Sequence, residues 1–295
     1  MHAGKRKAIA GLATMFCATL AHAGTLERIQ DTGQINVAHR ESSVPFSYLD
    51  GPGRPAGFSV DISLMIVNAI KKELGRQDLK VNWISVTPQN RTLLLNNGTI
   101  DLECEAATNN SNRWKDVNFS VNYFYTGTRL LVKRDAGIKN YADLKGKRVA
   151  TTAGSSNLLM LRKYNAEQGL GMKLVPARDH ADALLMLESD RVAAFAMDDV
   201  ILYGLKSTMR DPTKYDVLGD DLHVEPYACM LPKDDQRLKT LVDKTIGGAM
   251  TSGAFTKLYD KWFQAPIPPN QAVIGMPMGE QLRANVSGLS DQPSF

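Results

Sequence analysis

NFSVNYFYTGTRLLVK, residues 118–133, is aromatic and β-branched along its length, with no helical segment inside it. That composition predicts extended chain, and its position between two series of alternating strands and helices makes it a crossing from one lobe to another. A second extended run, Val224 to Leu231, returns the chain. Two crossings make the first lobe discontinuous and the second an insertion. Such a layout is a hinge that opens and closes a cleft, where a ligand is buried between the lobes.

Outward from the crossing, the elements alternate. Upstream, Gln34 to His39 reads as a strand, and Asp61 to Leu74 puts Ile62, Met65, Ile66, Ala69, Ile70 and Leu74 on one helical face, with Gly75 as the stop. Lys80 to Val86 alternates again. Thr87 then predicts an N-cap with Pro88 at the first helical position, and Ile100 to Ala106 a strand. Downstream, strands are expected at Lys147 to Thr152, Met172 to Val175 and Ala193 to Met197, separated by helices from Ser155, Ala181 and Asp198. Helices Asp235 to Ser252 and Ala254 to Phe263 follow, Pro266, Pro268 and Pro269 end regular structure, and the polar tail from Gln271 is expected to be loosely held.

Lys5, Arg6 and Lys7, an apolar stretch from Ala8 to Leu20 and the small-x-small Ala21-His22-Ala23 predict a cleaved secretory signal over residues 1–23. As a helix that stretch spans only about 20 Å, short of the roughly 30 Å hydrocarbon core. The chain has 35 Lys and Arg against 31 Asp and Glu, and three of the basic residues lie in that leader. What remains is close to neutral, which withdraws the compositional support for nucleic-acid binding. Cys104 and Cys229 would meet an oxidising compartment, either as one disulfide or as two buried thiols.

Several apolar runs stop at a polar residue: Arg40, Thr108, Ser155, His180 and Asp198, with Arg91 one helical turn past a strand. Ligands in open α/β sheets gather at strand carboxyl ends. Two fixed cations, an anion, an imidazole that switches charge and hydroxyls suit an amino acid with an acidic side chain. Each residue also has a plainer role. Arg91 presents a planar fork that matches a carboxylate, or it is a surface arginine. Asp198 neutralises an ammonium or caps the next helix, and both roles are met if Asp199 caps while Asp198 faces the cleft. Ser155 and Ser156 open a helix whose N–H groups favour an anion, or they only cap it. Arg40 faces the cleft or pairs with Glu41, and His180 is a ligand contact or a solvated loop residue. No Gly-x-Ser-x-Gly elbow, His-Glu-x-x-His, phosphate loop or dinucleotide fingerprint is present. The spacing of His39, His180 and His223 is not that of a metal motif, so neither metal nor cofactor is expected.

From about Thr25 to Pro269 the chain resembles the periplasmic solute-binding proteins of polar amino-acid ABC transporters (family 3), with its nearest likeness to the glutamate/aspartate-binding branch. HRESSVPFSY (39–48), GFSVDISLMIVNAI (57–70), QNR (89–91), ECEAATNN (103–110), TGTRLLVK (126–133), RDHADALLMLES (178–189), AFAMDD (194–199), YACMLPKDD (227–235) and KLYDKWF (257–263) carry the resemblance. It implies an α/β, two-lobed periplasmic binding protein fold of type II, each lobe a β-sheet flanked by helices, hinged on two crossing strands. The expected division is a signal peptide at 1–23, the first lobe at 24–122 and 224–270, the second at 123–223 and a tail at 271–295.

The resemblance also implies that Arg91, with Ser155 and Ser156, grips the ligand α-carboxylate. Asp198 and Thr108 would hold the ammonium, and Arg40 and His180 the side-chain carboxylate. A periplasmic monomer that delivers its ligand to an inner-membrane ABC permease comes with the family. The chain departs from the branch in two places. Pro88 stands where glutamate/aspartate binders have serine, and Glu105-Ala106-Ala107 where they have Gly-Ser-Thr. Glu105 adds negative charge near the cleft, in a direction that strand alternation from Thr108 does not fix. The second reading is a dehydratase on the same scaffold acting on a cyclic carboxylic acid, with the same arginines and a carboxylate or histidine as general acid.

Overall fold

Three parallel strands of the second lobe, Arg148–Thr152, Lys173–Ala177 and Ala194–Asp198, end at one edge of their sheet, and that edge faces the first lobe. The computed structural model describes residues 24–294; the signal expected over 1–23 lies outside them. Helices Ser156–Glu167, His180–Glu188 and Asp199–Thr208 follow these strands almost directly, so each strand end is also a helix start. The sheet order is Tyr215–Leu218, Phe124–Lys133, Ala194–Asp198, Arg148–Thr152, Lys173–Ala177. In the first lobe Gln34–His39 pairs in parallel with Lys80–Ser85, and the helix Phe58–Glu73 buries Phe58, Ile62, Ile66, Val67 and Ile70 at helical spacing.

Between the lobes, Phe124–Lys133 runs antiparallel to Val224–Tyr227, which gives the two crossing strands. An aromatic cluster lies against them. Phe46 meets Phe124 at 5.0 Å and Tyr227 at 5.3 Å between ring centroids, and Phe124 stacks on Phe263 at 5.2 Å. Rings this close contribute beyond their buried area, by about 0.5–1.5 kcal/mol a pair. Cys104 and Cys229 form a disulfide that ties the segment before the first crossing to the segment after the second.

Several expectations need correction. The run 118–133 is not one strand: Val117–Phe119 and Phe124–Lys133 are separated because the Val121 N–H is taken by Asp243 Oδ1 at 2.8 Å and the Asn122 N–H by Ser290 O at 2.9 Å. Similarly, 224–231 divides into Val224–Tyr227 and Met230–Pro232, with the Cys229 N–H bonded to Ser120 Oγ at 3.0 Å. Residues 100–106 form only bridge pairings, Val37 with Leu102 and Glu103 with Met230. Glu105 competes there for its own backbone, accepting the Ala106 N–H at 2.5 Å. The helix expected from Pro88 begins at Arg91, because the Asn90 side chain accepts the Thr87 N–H at 2.8 Å and closes a turn first.

The tail is docked rather than loose. Helix Glu280–Gly288 buries Leu282 and Asn285. Asn285 Nδ2 donates to Asn122 O at 2.7 Å, Asn122 Nδ2 to Gln292 O at 2.9 Å, Asn109 Nδ2 to Asp291 O at 2.8 Å, and the Ser294 N–H to Asn109 O at 3.0 Å. The tail is held both by satisfied amides, which hydropathy alone does not register, and by Leu282, Val286 and Leu289 against the core.

Candidate functional site

Arg40, Arg91, Thr108, Ser155, Ser156, His180 and Asp198 all line one narrow cavity between the lobes, which is nearly closed, with a volume of about 10 Å³. Arg40, Arg91 and Thr108 come from the first lobe; the others stand on the strand ends and helix starts of the second. Across the cleft Arg40 Nη2 is ion-paired with Asp179, Thr108 Oγ1 lies 2.9 Å from Ser156 Oγ, and the Ala181 N–H donates to Ser42 Oγ at 3.3 Å. Gly154 has φ +76°, and a Cβ there would stand 2.8 Å from the Gln89 amide nitrogen on the opposite wall. Only a residue without a Cβ lets the walls approach so closely.

The charges are arranged in layers. Arg91, 3 % exposed, pairs through Nη1 with Glu103 Oε1 at 3.2 Å and with Glu105 Oε1. Burial, offset by Glu103, draws this guanidinium down to about 10. Burial likewise raises the Glu103 carboxyl, against the pull of Arg91. Arg40 joins Asp179 and Glu105 and leaves Glu41 alone; the Glu41 carboxylate accepts from Ser85 Oγ at 2.7 Å instead. Burial works to raise Asp179, but the Arg40 guanidinium and the His180 backbone N–H, which donates to Asp179 Oδ1 at 2.7 Å, hold it below its usual value.

Asp198 occupies the N-cap position of Asp199–Thr208 without capping it by its side chain; Asp199 Oδ1 accepts the Val200 N–H at 2.6 Å. Asp198 Oδ1 instead accepts from Asn157 Nδ2 at 2.8 Å, and Oδ2 from the Tyr227 hydroxyl. Burial first, then the nearby Glu225, pushes its carboxyl up to about 7. Ser155 does cap, accepting the Leu158 N–H at 3.2 Å, while Ser156 Oγ donates to Glu225 Oε2 at 2.7 Å.

His180 is the main correction. Burial and the neighbouring Arg40 hold the imidazole down to about 3, so it is neutral and does not switch charge near pH 7. Its Nδ1 lies 2.7 Å from Thr152 Oγ1, and its buried Nε2 has no partner among the described residues.

Sequence reasoning missed two residues. Arg113 lines the cavity, donates through Nη1 to Thr108 O at 2.8 Å and, among the described residues, has no carboxylate within ion-pair distance. Burial lowers its pKa. Its signal is a lone arginine in the polar run after Thr108, where no strand end points to it. Glu225, fully buried in the returning strand, accepts from Thr108 Oγ1 at 2.9 Å and from Ser156. Among the described residues no group of three or more His, Cys, Asp or Glu is placed to hold a metal, and no helix is long and apolar enough to cross a membrane.

Two hinged lobes with charged side chains converging on a shared cavity define a cleft-closing binding protein. The chain belongs to the bacterial extracellular solute-binding proteins, family 3, whose profile matches residues 35–265. It is similar to the L-glutamate/L-aspartate-binding protein of Pseudomonas aeruginosa, 46 % identical over 91 % of this chain and 89 % of that one. It is also similar to the glutamate/aspartate import solute-binding protein of Salmonella typhimurium, 44 % identical over 96 % and 94 %. Among solved structures, a mutant ArgBP from T. maritima superposes with a TM-score of 0.71 at 26 % identity, covering 81 % of this chain and 99 % of the other. The chain is thus a solute-binding protein and not an enzyme, and the dehydratase reading is not favoured.

Proposed function

We propose that this protein is the periplasmic binding component of an amino-acid ABC importer, exported by a signal cleaved after Ala23, that closes over an acidic amino acid, glutamate or aspartate. The observation that carries the reading is the convergence of guanidinium, carboxyl and hydroxyl groups from opposite lobes on one cavity. A buried zwitterion is tolerable only when each charge is paired, since an unpaired ion costs several kcal/mol.

Asp198, with Thr108, takes the ammonium. The α-carboxylate lies between Arg91 and Arg113, with Ser155 and Ser156 at the helix start beside it. Arg113 enters this role because, among the described residues, no carboxylate lies within ion-pair distance of it, although Glu225, Glu103 and Asp198 are near enough to act on its charge, whereas Arg91 is directly paired with Glu103 and Glu105. Arg40 and His180 Nε2 face the side chain. As a monomer the loaded protein docks on an inner-membrane permease. A thermal-shift panel of the twenty amino acids tests the ligand, since one at about 100 times its Kd stabilises by about 2.7 kcal/mol. In calorimetry Arg91→Ala and Asp198→Ala should each weaken binding at least tenfold, about 1.4 kcal/mol. Wild-type affinity in either variant removes that residue from the site.

A further inference from the structure

Glu105 is a carboxylate that the chain supplies to its own ligand site. It is 1 % exposed, its Oε1 is ion-paired with Arg91 Nη1 and lies 3.4 Å from Arg40 Nη1, and its Oε2 is fixed on the Ala106 N–H. Both guanidinium groups that would meet a ligand's carboxylates on the first lobe therefore already hold one. Around the cavity Arg40, Arg91 and Arg113 face Glu103, Glu105, Asp179, Asp198 and Glu225. A side-chain carboxylate entering here has to share Arg40 with Glu105 and Asp179 once Arg113 serves the α-carboxylate. A buried anion that shares its counter-cation with two carboxylates gains less from burial than one with a cation of its own.

The capacity that is left has a different chemistry. Arg40 Nε and His180 Nε2 are both buried and both lack a partner among the described residues, on residues that are each 1 % exposed. Arg40 Nε–H is a fixed donor. His180 Nε2 accepts when the ring donates its Nδ1–H to Thr152 Oγ1, 2.7 Å away, and donates in the other tautomer. One donor and one acceptor complement a carboxamide, whose oxygen accepts and whose NH₂ donates. A carboxylate has acceptors only.

We infer that Glu105 is a specificity-determining residue: it takes the place of a ligand side-chain carboxylate between Arg40 and Arg91 and widens the ligand class from acidic amino acids to their amides, glutamine and asparagine. The inference rests on the reading of the cleft as an α-amino-acid site. The same contacts define the substitution that tests it. Glu105→Gln keeps the shape and removes the charge; Glu105→Gly removes the side chain as well.

Calorimetry of the wild type and both variants with L-glutamate, L-glutamine, L-aspartate and L-asparagine separates the charge preference from amino-acid binding itself. In the wild type glutamine should bind as tightly as glutamate or within tenfold of it. Glu105→Gln should tighten glutamate at least tenfold and change glutamine less than threefold, and glutamate should raise the Tm of either variant more than that of the wild type. A wild type that prefers glutamate a hundredfold, with no gain in the variants, overturns the inference and leaves the amino-acid site standing. Failure of all four ligands to bind any of the three proteins overturns the site, and the inference with it.

Discussion

With Asp198 taking the ligand ammonium as proposed, ligand binding should release protons, and the size of the release follows from the surroundings of Asp198. Burial and Glu225 raise the carboxyl to about 7 from an ordinary 3.8. An ammonium placed against it favours the anion, and an opposite charge at that range lowers the proton affinity of a carboxyl by a factor of about 10 to 1000. Neither the ligand's own groups nor His180, held at about 3, titrate between pH 6 and 8. Binding should then expel about 0.4 to 0.9 proton at about pH 6 and only about 0.1 at about pH 8, with affinity rising roughly five- to tenfold between them. Without ligand the sign of the stability effect is opposite. A carboxyl with a raised folded value contributes stability that is present below 3.8 and lost as pH rises through about 7. Calorimetry in buffers of different ionisation enthalpy counts the protons. Release below about 0.2 proton at about pH 6, or undiminished release in an Asp198→Asn variant that still binds, would refute the assignment.

Two further predictions test closure and the crosslink. Gly154→Ala places a Cβ against the Gln89 backbone from a φ of +76°, so the lobes should fail to close fully; affinity should fall at least tenfold, and small-angle scattering should show a smaller ligand-induced contraction than the wild type, equal contraction being the contrary result. Reduction of Cys104–Cys229, which closes a loop of 125 residues in sequence, should lower the unfolding free energy by about 2–5 kcal/mol; an unchanged denaturation midpoint in reductant would contradict that.

The strand-end rule found Arg40, Ser155, His180 and Asp198 because parallel strands aim their carboxyl ends at one edge, so position along the chain becomes position in the cleft. Glu105 resisted the same logic. Residues 100–106 are joined to their neighbours by bridges rather than by a continuous ladder, and alternation has no meaning where the pleat is absent. The charge of His180 was out of reach for another reason: it depends on burial beside Arg40, which no local pattern encodes. Arg113 lies after a short turn rather than a strand. The docking of 280–294 was hidden because its anchors, Asn109, Asn122 and Asn285, read as ordinary loop residues until their amides are seen to match.

That last set of amides decides which half of the molecule can serve as a frame of reference. Ser290, Gln292 and Ser294 hold Asn122, just ahead of the first crossing strand, and Asn109, beside Thr108. A dye attached near Ser290 would therefore travel with the ligand shelf of the first lobe. One at Leu159, 65 % exposed on the second, would travel with the other jaw, and energy transfer between the two would turn the protein into an optical gauge of its own ligand.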